Sequence, residues 1–165
     1  MKYFNQGDIL LSDFDGVYKN SQERFDTVMK DHTELNLWME YLNSIDWHSF
    51  LRECDYIPEA RETLLELQKL NILKGFITTI HSFYEGEEKT KILREDGFYV
   101  PVFFVLPEQP KTIVFPPTPR TIILEDKRKN ALEWEKEGGK SILYNPQIDH
   151  SSKRQIKKLS HLLKK

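Results

Sequence analysis

DILLSDFDGVYKN, residues 8–20, is the stretch on which the reading turns. Its apolar run Ile9-Leu10-Leu11 ends in two acids one residue apart, Asp13 and Asp15, with Gly16 directly behind. Apolar residues in succession, rather than in alternation, mark a strand buried on both faces, as in a parallel sheet. Such a strand has no use for two carboxylates, each of which is costly to desolvate unless paired or neutralised. A turn or a helix cap accounts for one acid but poorly for two followed by glycine. A divalent cation at the end of the strand neutralises both.

Outward from that stretch, strand and helix signals alternate. Residues 8–13 read as the first strand. Asn20 with Glu23 fits a capping box. Residues 21–56 are rich in aromatics and carry little β signal, and Asp46 suits the N-cap of a short helix through Arg52. A small helical insertion over 18–56 is therefore expected after the first strand. Pro58 suits the first turn of the next helix. Ala60, Leu64 and Leu67 form its apolar stripe, widened by Leu65 and Leu70. Further strands are expected over 72–79, 100–105, 121–124 and 141–144. Helices are expected over 87–96, closed by Gly97, and over 128–137, closed by Gly138-Gly139. Strands joined by helical crossovers make a parallel sheet. The expected fold is a single α/β domain over 1–165, a Rossmann-like three-layer sandwich with a small helical cap.

Composition narrows the class. Of 165 residues, 39% are hydrophobic and 30% charged, as in a soluble globular domain. The net charge of -2 gives no reason to expect a nucleic-acid partner. A single cysteine, Cys54, excludes an internal disulfide framework and suits a reducing compartment. No stretch approaches a membrane span, and MKYFNQGD lacks the apolar core of a signal peptide. A cytoplasmic protein with no membrane partner is expected.

In open parallel sheets ligands sit beyond the carboxyl ends of the strands. Those ends carry Asp13 and Asp15, then Thr78 and Thr79, then Glu125 and Asp126. Oxygen-only donors suit a hard cation, with magnesium foremost, and magnesium held by few carboxylates keeps positions open to phosphate oxygens. A carboxylate beside it can attack phosphorus, and a second acid can move the proton. Lys111, in PEQPKT ahead of the fourth strand, can supply positive charge to the phosphoryl oxygens, with Lys127 as its competitor. Thr78 is preferred to Thr79 by register. A plain helix N-cap remains open for Glu125 and Asp126.

Asp13-Phe14-Asp15-Gly16-Val17 after an apolar strand resembles the first motif of the haloacid dehalogenase superfamily. Thr78 after LKGFI resembles its second motif, Lys111 its third, and Glu125-Asp126 after TIIL its fourth. The resemblance spans residues 8–145 with all four in order. PKTIVF followed by TIILED, and EDKRKNALEWEKEGGKSILYN, look most like the 5′(3′)-deoxyribonucleotidase group. The resemblance implies a magnesium-dependent phosphomonoester hydrolase acting through an aspartyl phosphate, on a nucleoside monophosphate or another small phosphorylated metabolite. It implies Asp13 as nucleophile, Asp15 as general acid/base, and Thr78 and Lys111 on the phosphate. Magnesium would be held by Asp13, the Asp15 main-chain carbonyl and Asp126, with Glu125 beside them. Gly16, Thr79 and His81 are candidates for phosphate or substrate contact. Asn130 stands where many members carry another aspartate.

Gly139-Lys140-Ser141 is no phosphate-binding loop, because Trp134 stands where the earlier glycine belongs and the triplet precedes a strand. A phosphorylated receiver domain would place its lysine after the threonine, near the chain end. A catalytically silent binding module, or a phosphatase acting on polynucleotide ends, is an alternative. His81 also reads as an ordinary loop histidine, and Cys54 as a small buried residue. The aromatics of 25–56 read first as packing, with Trp38, Trp47 and Phe50 available to stack a base. The tail SSKRQIKKLSHLLKK holds six basic residues and no acid. It reads as a basic C-terminal helix over 151–165, docked through Ile156, Leu159 and Leu163; such helices also suit anionic surfaces.

Overall fold

Residues 1–29, 35–148 and 154–164 are described in this computed structural model, with side chains omitted at 28, 29 and 35–39. Among them run strands β1 (Ile9–Ser12), β2 (Leu73–Thr79), β3 (Val102–Val105), β4 (Thr121–Glu125), β5 (Lys140–Tyr144) and β6 (Gln155–Ile156). Helices α1 (Ser21–Met29), α2 (Leu35–Ser44) and α3 (Trp47–Glu53) follow β1. Helices α4 (Ala60–Lys69), α5 (Phe83–Glu95) and α6 (Arg128–Lys136) connect the later strands. The six strands form one sheet in the order β3-β2-β1-β4-β5-β6, and every pair is parallel. β1, at the centre, pairs with β2 and β4, so the ends of the three strands that carry the candidate residues are neighbours.

Successive residues of the central strands supply two separate cores, because side chains alternate across a strand. Leu10, Phe76, Ile122 and Leu124 face the larger core with Leu64 and Leu67 of α4 and Ile92 and Leu93 of α5. Leu11, Ile77 and Ile123 face the other way, against Trp134 of α6. These are the three layers expected, and they explain why the strand sequences are apolar without alternation.

The segment between β1 and α4 begins and ends at one place. Lys19 pairs with Tyr56 in an antiparallel bridge. Asn20 N–H donates to the Asp55 carbonyl at 2.8 Å, and Ile57 N–H donates to Tyr18 at 2.9 Å. Asp46 caps α3, accepting from the N–H groups of His48 and Ser49. Trp47, Phe50 and Leu51 of α3 are buried in the larger core, as expected of packing aromatics. Trp38 lies on α2 with its side chain outside the described residues.

Three expectations are corrected. Leu70 is 49% exposed, because α4 ends at Lys69 and the chain turns away before the stripe is extended. The helix expected from 87 begins at Phe83: the Ser82 hydroxyl accepts from Glu85 N–H and supplies a cap one turn earlier. The tail over 154–164 is not one helix. It adds β6 to the open edge of β5 and then makes a 3-10 turn at Leu159–Leu163. The edge offers unpaired backbone groups, and Leu143 N–H takes the Arg154 carbonyl at 2.7 Å while Asn145 N–H takes that of Ile156 at 2.9 Å. Ile156, Leu159 and Leu162 are buried, whereas Leu163 is only partly so. The remainder of 151–165 lies outside the described residues. Among the described residues no helix is long and apolar enough to cross a membrane.

Candidate active site

Beyond β1 the backbone makes a single tight turn. Tyr18 and Lys19 N–H groups both donate to the Phe14 carbonyl, at 2.9 and 3.0 Å, and Gly16 N–H donates to Lys19 at 2.8 Å. Gly16 takes φ +73°, and a Cβ there would stand 2.1 Å from Asp126 Oδ2. Glycine is therefore required twice over, for the left-handed backbone and for the approach of Asp126.

Asp13 is buried, with Oδ1 accepting Phe14 N–H at 2.7 Å and Oδ2 2.7 Å from Lys111 Nζ. Lys111, in the 3-10 turn after Pro110, is 6% exposed and also pairs with Glu125. Glu125 is spent on that pair, on Asn130 Nδ2 at 2.9 Å and on Lys127 N–H at 3.0 Å. Asp126 differs. Its Oδ1 is buried with no hydrogen-bond partner. One carboxylate oxygen each from Asp13, Glu125 and Asp126 lie within 4.8 Å of one another. Three converging carboxylates, one with an orphaned oxygen, fit a hard divalent cation. Asn130, at the position where many members of the resembled family carry an aspartate, joins this cluster through Glu125.

Electrostatics follow from the crowding. Burial raises the Asp13 carboxyl well above its ordinary range; Lys111 opposes this, while Glu125, Asp15 and Asp126 add to it. Asp126 is pushed up to about 7 by burial and by Glu125. Glu125 is also buried, but the charge and hydrogen bond of Lys111 outweigh burial and hold it low. Lys111, though buried, is raised by Asp13 and Glu125.

Asp15 lies in a second, adjoining network. Its Oδ2 accepts from Thr78 Oγ1 at 3.0 Å and from Lys89 Nζ at 2.6 Å, and its Oδ1 from the Ser21 hydroxyl. Burial alone would raise its pKa, but Lys89 and these hydrogen bonds lower it. Thr78 is wholly buried, whereas its neighbour Thr79 lines the cavity. His81 lines it too. Its ring stacks on Phe25 at 5.0 Å and lies parallel to Trp47 at 6.0 Å, and Glu85 accepts from its main-chain N–H at 2.6 Å. The cavity has a volume of about 350 Å³ and holds Asp13, Asp15, Phe25, Trp47, Lys127 and Asn130 in its walls. Lys127 Nζ donates to Gln22 Oε1, whereas Lys111 Nζ pairs directly with Asp13 and Glu125.

Lys89, Glu85 and Ser21 were not anticipated. The signal was present: Ser82-Phe83-Tyr84-Glu85 has the spacing of a capping box, and starting the helix there sets Glu85 and Lys89 one turn apart on one face.

No protein-family model matches the chain, and no curated protein does. Solved structures do. A HAD-superfamily hydrolase from Ehrlichia chaffeensis aligns with TM-score 0.59 and 12% identity, over 93% of each chain. A HAD hydrolase, family IA, variant 3, from Entamoeba histolytica HM-1:IMSS aligns with TM-score 0.57 and 14% identity, over 93% of this chain and 94% of that one. A HAD family hydrolase from Deinococcus radiodurans R1 with bound phosphate and sodium aligns with TM-score 0.50 and 15% identity, over 98% and 94%. The fold is thus that of HAD-like α/β proteins along nearly the whole chain.

Proposed function

We propose that this protein is a magnesium-dependent phosphomonoester hydrolase working through an aspartyl phosphate. One observation carries the reading: Asp13, at the end of β1, is paired with Lys111, clusters with Asp126, whose Oδ1 has no partner, and lines the same cavity as Asp15. The phosphate bound to the Deinococcus protein of like fold agrees with it.

Asp13, Asp126 and the main-chain carbonyl of Asp15 are the groups that would hold magnesium. When bound, the ion supplies charge neutralisation among the carboxylates and to the phosphoryl oxygens. A carboxylate oxygen of Asp13 attacks phosphorus, forming the Asp13–phosphorus bond as the bond to the leaving oxygen breaks. Asp15 gives that oxygen a proton. The approach of a phosphoryl dianion raises the proton affinity of Asp15, which offsets the effect of Lys89 in the ligand-free protein. Asp15 then takes a proton from water as it attacks the phosphorus, which regenerates Asp13. Lys111 and the hydroxyls at the end of β2, of which Thr79 borders the cavity, hold phosphoryl oxygens. Gly16 lets the backbone pass beside Asp126. The helices of 18–56 act as a cap that excludes water and selects the leaving group, with the stacked rings of Phe25, His81 and Trp47 forming part of the cavity wall. A nucleoside monophosphate or another small phosphorylated metabolite suits a cavity of about 350 Å³.

The test is phosphate release from nucleoside 5′- and 3′-monophosphates, sugar phosphates and an aryl phosphate, with magnesium and with chelator. Release that needs magnesium and falls at least ~10³-fold in Asp13→Asn is expected, as for loss of a group acting in covalent catalysis. Release that survives either chelation or Asp13→Asn overturns the reading.

A further inference from the structure

Among the described residues, Lys89 is a wholly buried charge that the reaction above does not use. It is 0% exposed, midway along α5. Its Nζ reaches Asp15 Oδ2 at 2.6 Å, Glu85 Oε1 at 2.7 Å, the Thr79 carbonyl at 2.8 Å and Thr78 Oγ1 at 3.1 Å. A buried ammonium is tolerated only when its donors are satisfied and its charge is matched. Here both conditions are met by groups at the end of β2 and in the turn after β1. Glu85 continues outward, accepting from His81 N–H, and His81 is the ring clasped by Phe25 of α1 and Trp47 of α3. The chain Asp15–Lys89–Glu85–His81 therefore joins the carboxylate of the reacting site to the two aromatic rings that the inserted helices lay over the cavity.

We propose that Lys89 is a positioning residue for Asp15, resting on the phosphoryl-transfer reading above. With Thr78 it occupies Oδ2, and leaves Oδ1, which among the described residues accepts from the Ser21 hydroxyl, as the oxygen that exchanges a proton with the leaving group and with water. Being wholly buried, it touches no substrate. Its loss acts on turnover and not on affinity.

The experiment compares the full-length protein with Lys89→Met and with Glu85→Gln/Lys89→Met, in which the two charges leave together and no lone buried carboxylate remains on α5. Folding is followed by circular dichroism, and kcat and KM are measured on the aryl phosphate with magnesium. A misplaced acid/base costs about 10- to 100-fold, so kcat is expected to fall by that factor in each folded variant, with KM within about twofold of the parent. Unchanged kcat in either folded variant, or a loss confined to KM, overturns the assignment and leaves the hydrolase reading intact. A parent that releases phosphate from no substrate of the panel overturns both.

Discussion

At the scale of single residues, the site depends on close approaches that admit one side chain only. Gly16 is the sharpest case. An alanine there would be held at φ +73° with its Cβ 2.1 Å from Asp126 Oδ2. The backbone strain alone is worth about 1–3 kcal/mol, and relief of the clash requires Asp126 to move. Gly16→Ala is therefore expected to lower the melting temperature by several degrees, since about 1 kcal/mol shifts it ~2–4 °C at this chain length. It is also expected to abolish any further stabilisation by magnesium, because the displaced carboxylate is the one with an orphaned oxygen. Thermal melts of parent and variant, with and without magnesium, check both statements. A variant with the full magnesium increment would show that Asp126 does not hold the ion.

At the scale of elements, α6 and the face of the sheet it covers form the thinner core. Trp134 is wholly buried among Leu11, Ile77 and Ile123, with Phe115 stacked beside it at 6.4 Å. Gly139 is part of the same fit: a Cβ there would stand 2.2 Å from Trp134 Nε1. Trp134→Ala is expected to cost about 3–5 kcal/mol, from lost burial and an unfilled cavity. Urea unfolding measures it, and a cost below about 1 kcal/mol would mean that this face does not depend on the indole. On the opposite face, Tyr18 and Tyr56 both donate to Asp96 Oδ2, at 2.5 and 2.8 Å. Both ends of the segment between β1 and α4 are thus tied to the C-terminal end of α5, the helix that also carries Lys89.

At the scale of the whole molecule, the carboxylate cluster couples stability to pH and to metal. Asp126 is raised from its ordinary value of 3.8 to about 7 in the fold. A carboxyl whose folded pKa lies above its unfolded one favours the folded state in acid, and that contribution is lost as pH rises through the folded value. The metal-free protein is therefore expected to lose stability between about pH 4 and 7, as Asp126 is forced to ionise beside Glu125. Magnesium competes with that proton, so its stabilising effect is expected to grow over the same window. Melting temperatures in chelator and in magnesium, from pH 5 to 8, measure both curves. A gap between the curves that does not widen with pH would count against Asp126 as the titrating ligand.

Much of this was legible in the sequence, for physical reasons that can be named. Unbroken apolar runs at 9–11, 76–77 and 122–124 require burial on both faces, which in turn requires a parallel sheet with helices on each side. Acids and threonines just beyond those runs, with a lysine ahead of the last, stand at the edge where such sheets bind ligands; Asp13, Lys111 and Asp126 form one cluster there, and Asp15 and Thr78 the adjoining one. These are consequences of local pattern. What lay beyond local pattern was decided by contacts between distant segments. Whether Glu125 or Asp126 was left unpaired depended on Lys111, 14 residues before Glu125, taking one of them. Gln155 and Ile156 of the tail joined the sheet because the β5 edge offered backbone partners, which the tail's own periodicity does not reveal. Lys89, 74 residues from Asp15, entered the site only when α5 folded back over β2. The sequence determined which residues are apolar and where its acids lie; only the tertiary structure decided which charges neutralise one another, because pairing energies depend on distance and burial, which no order of residues states.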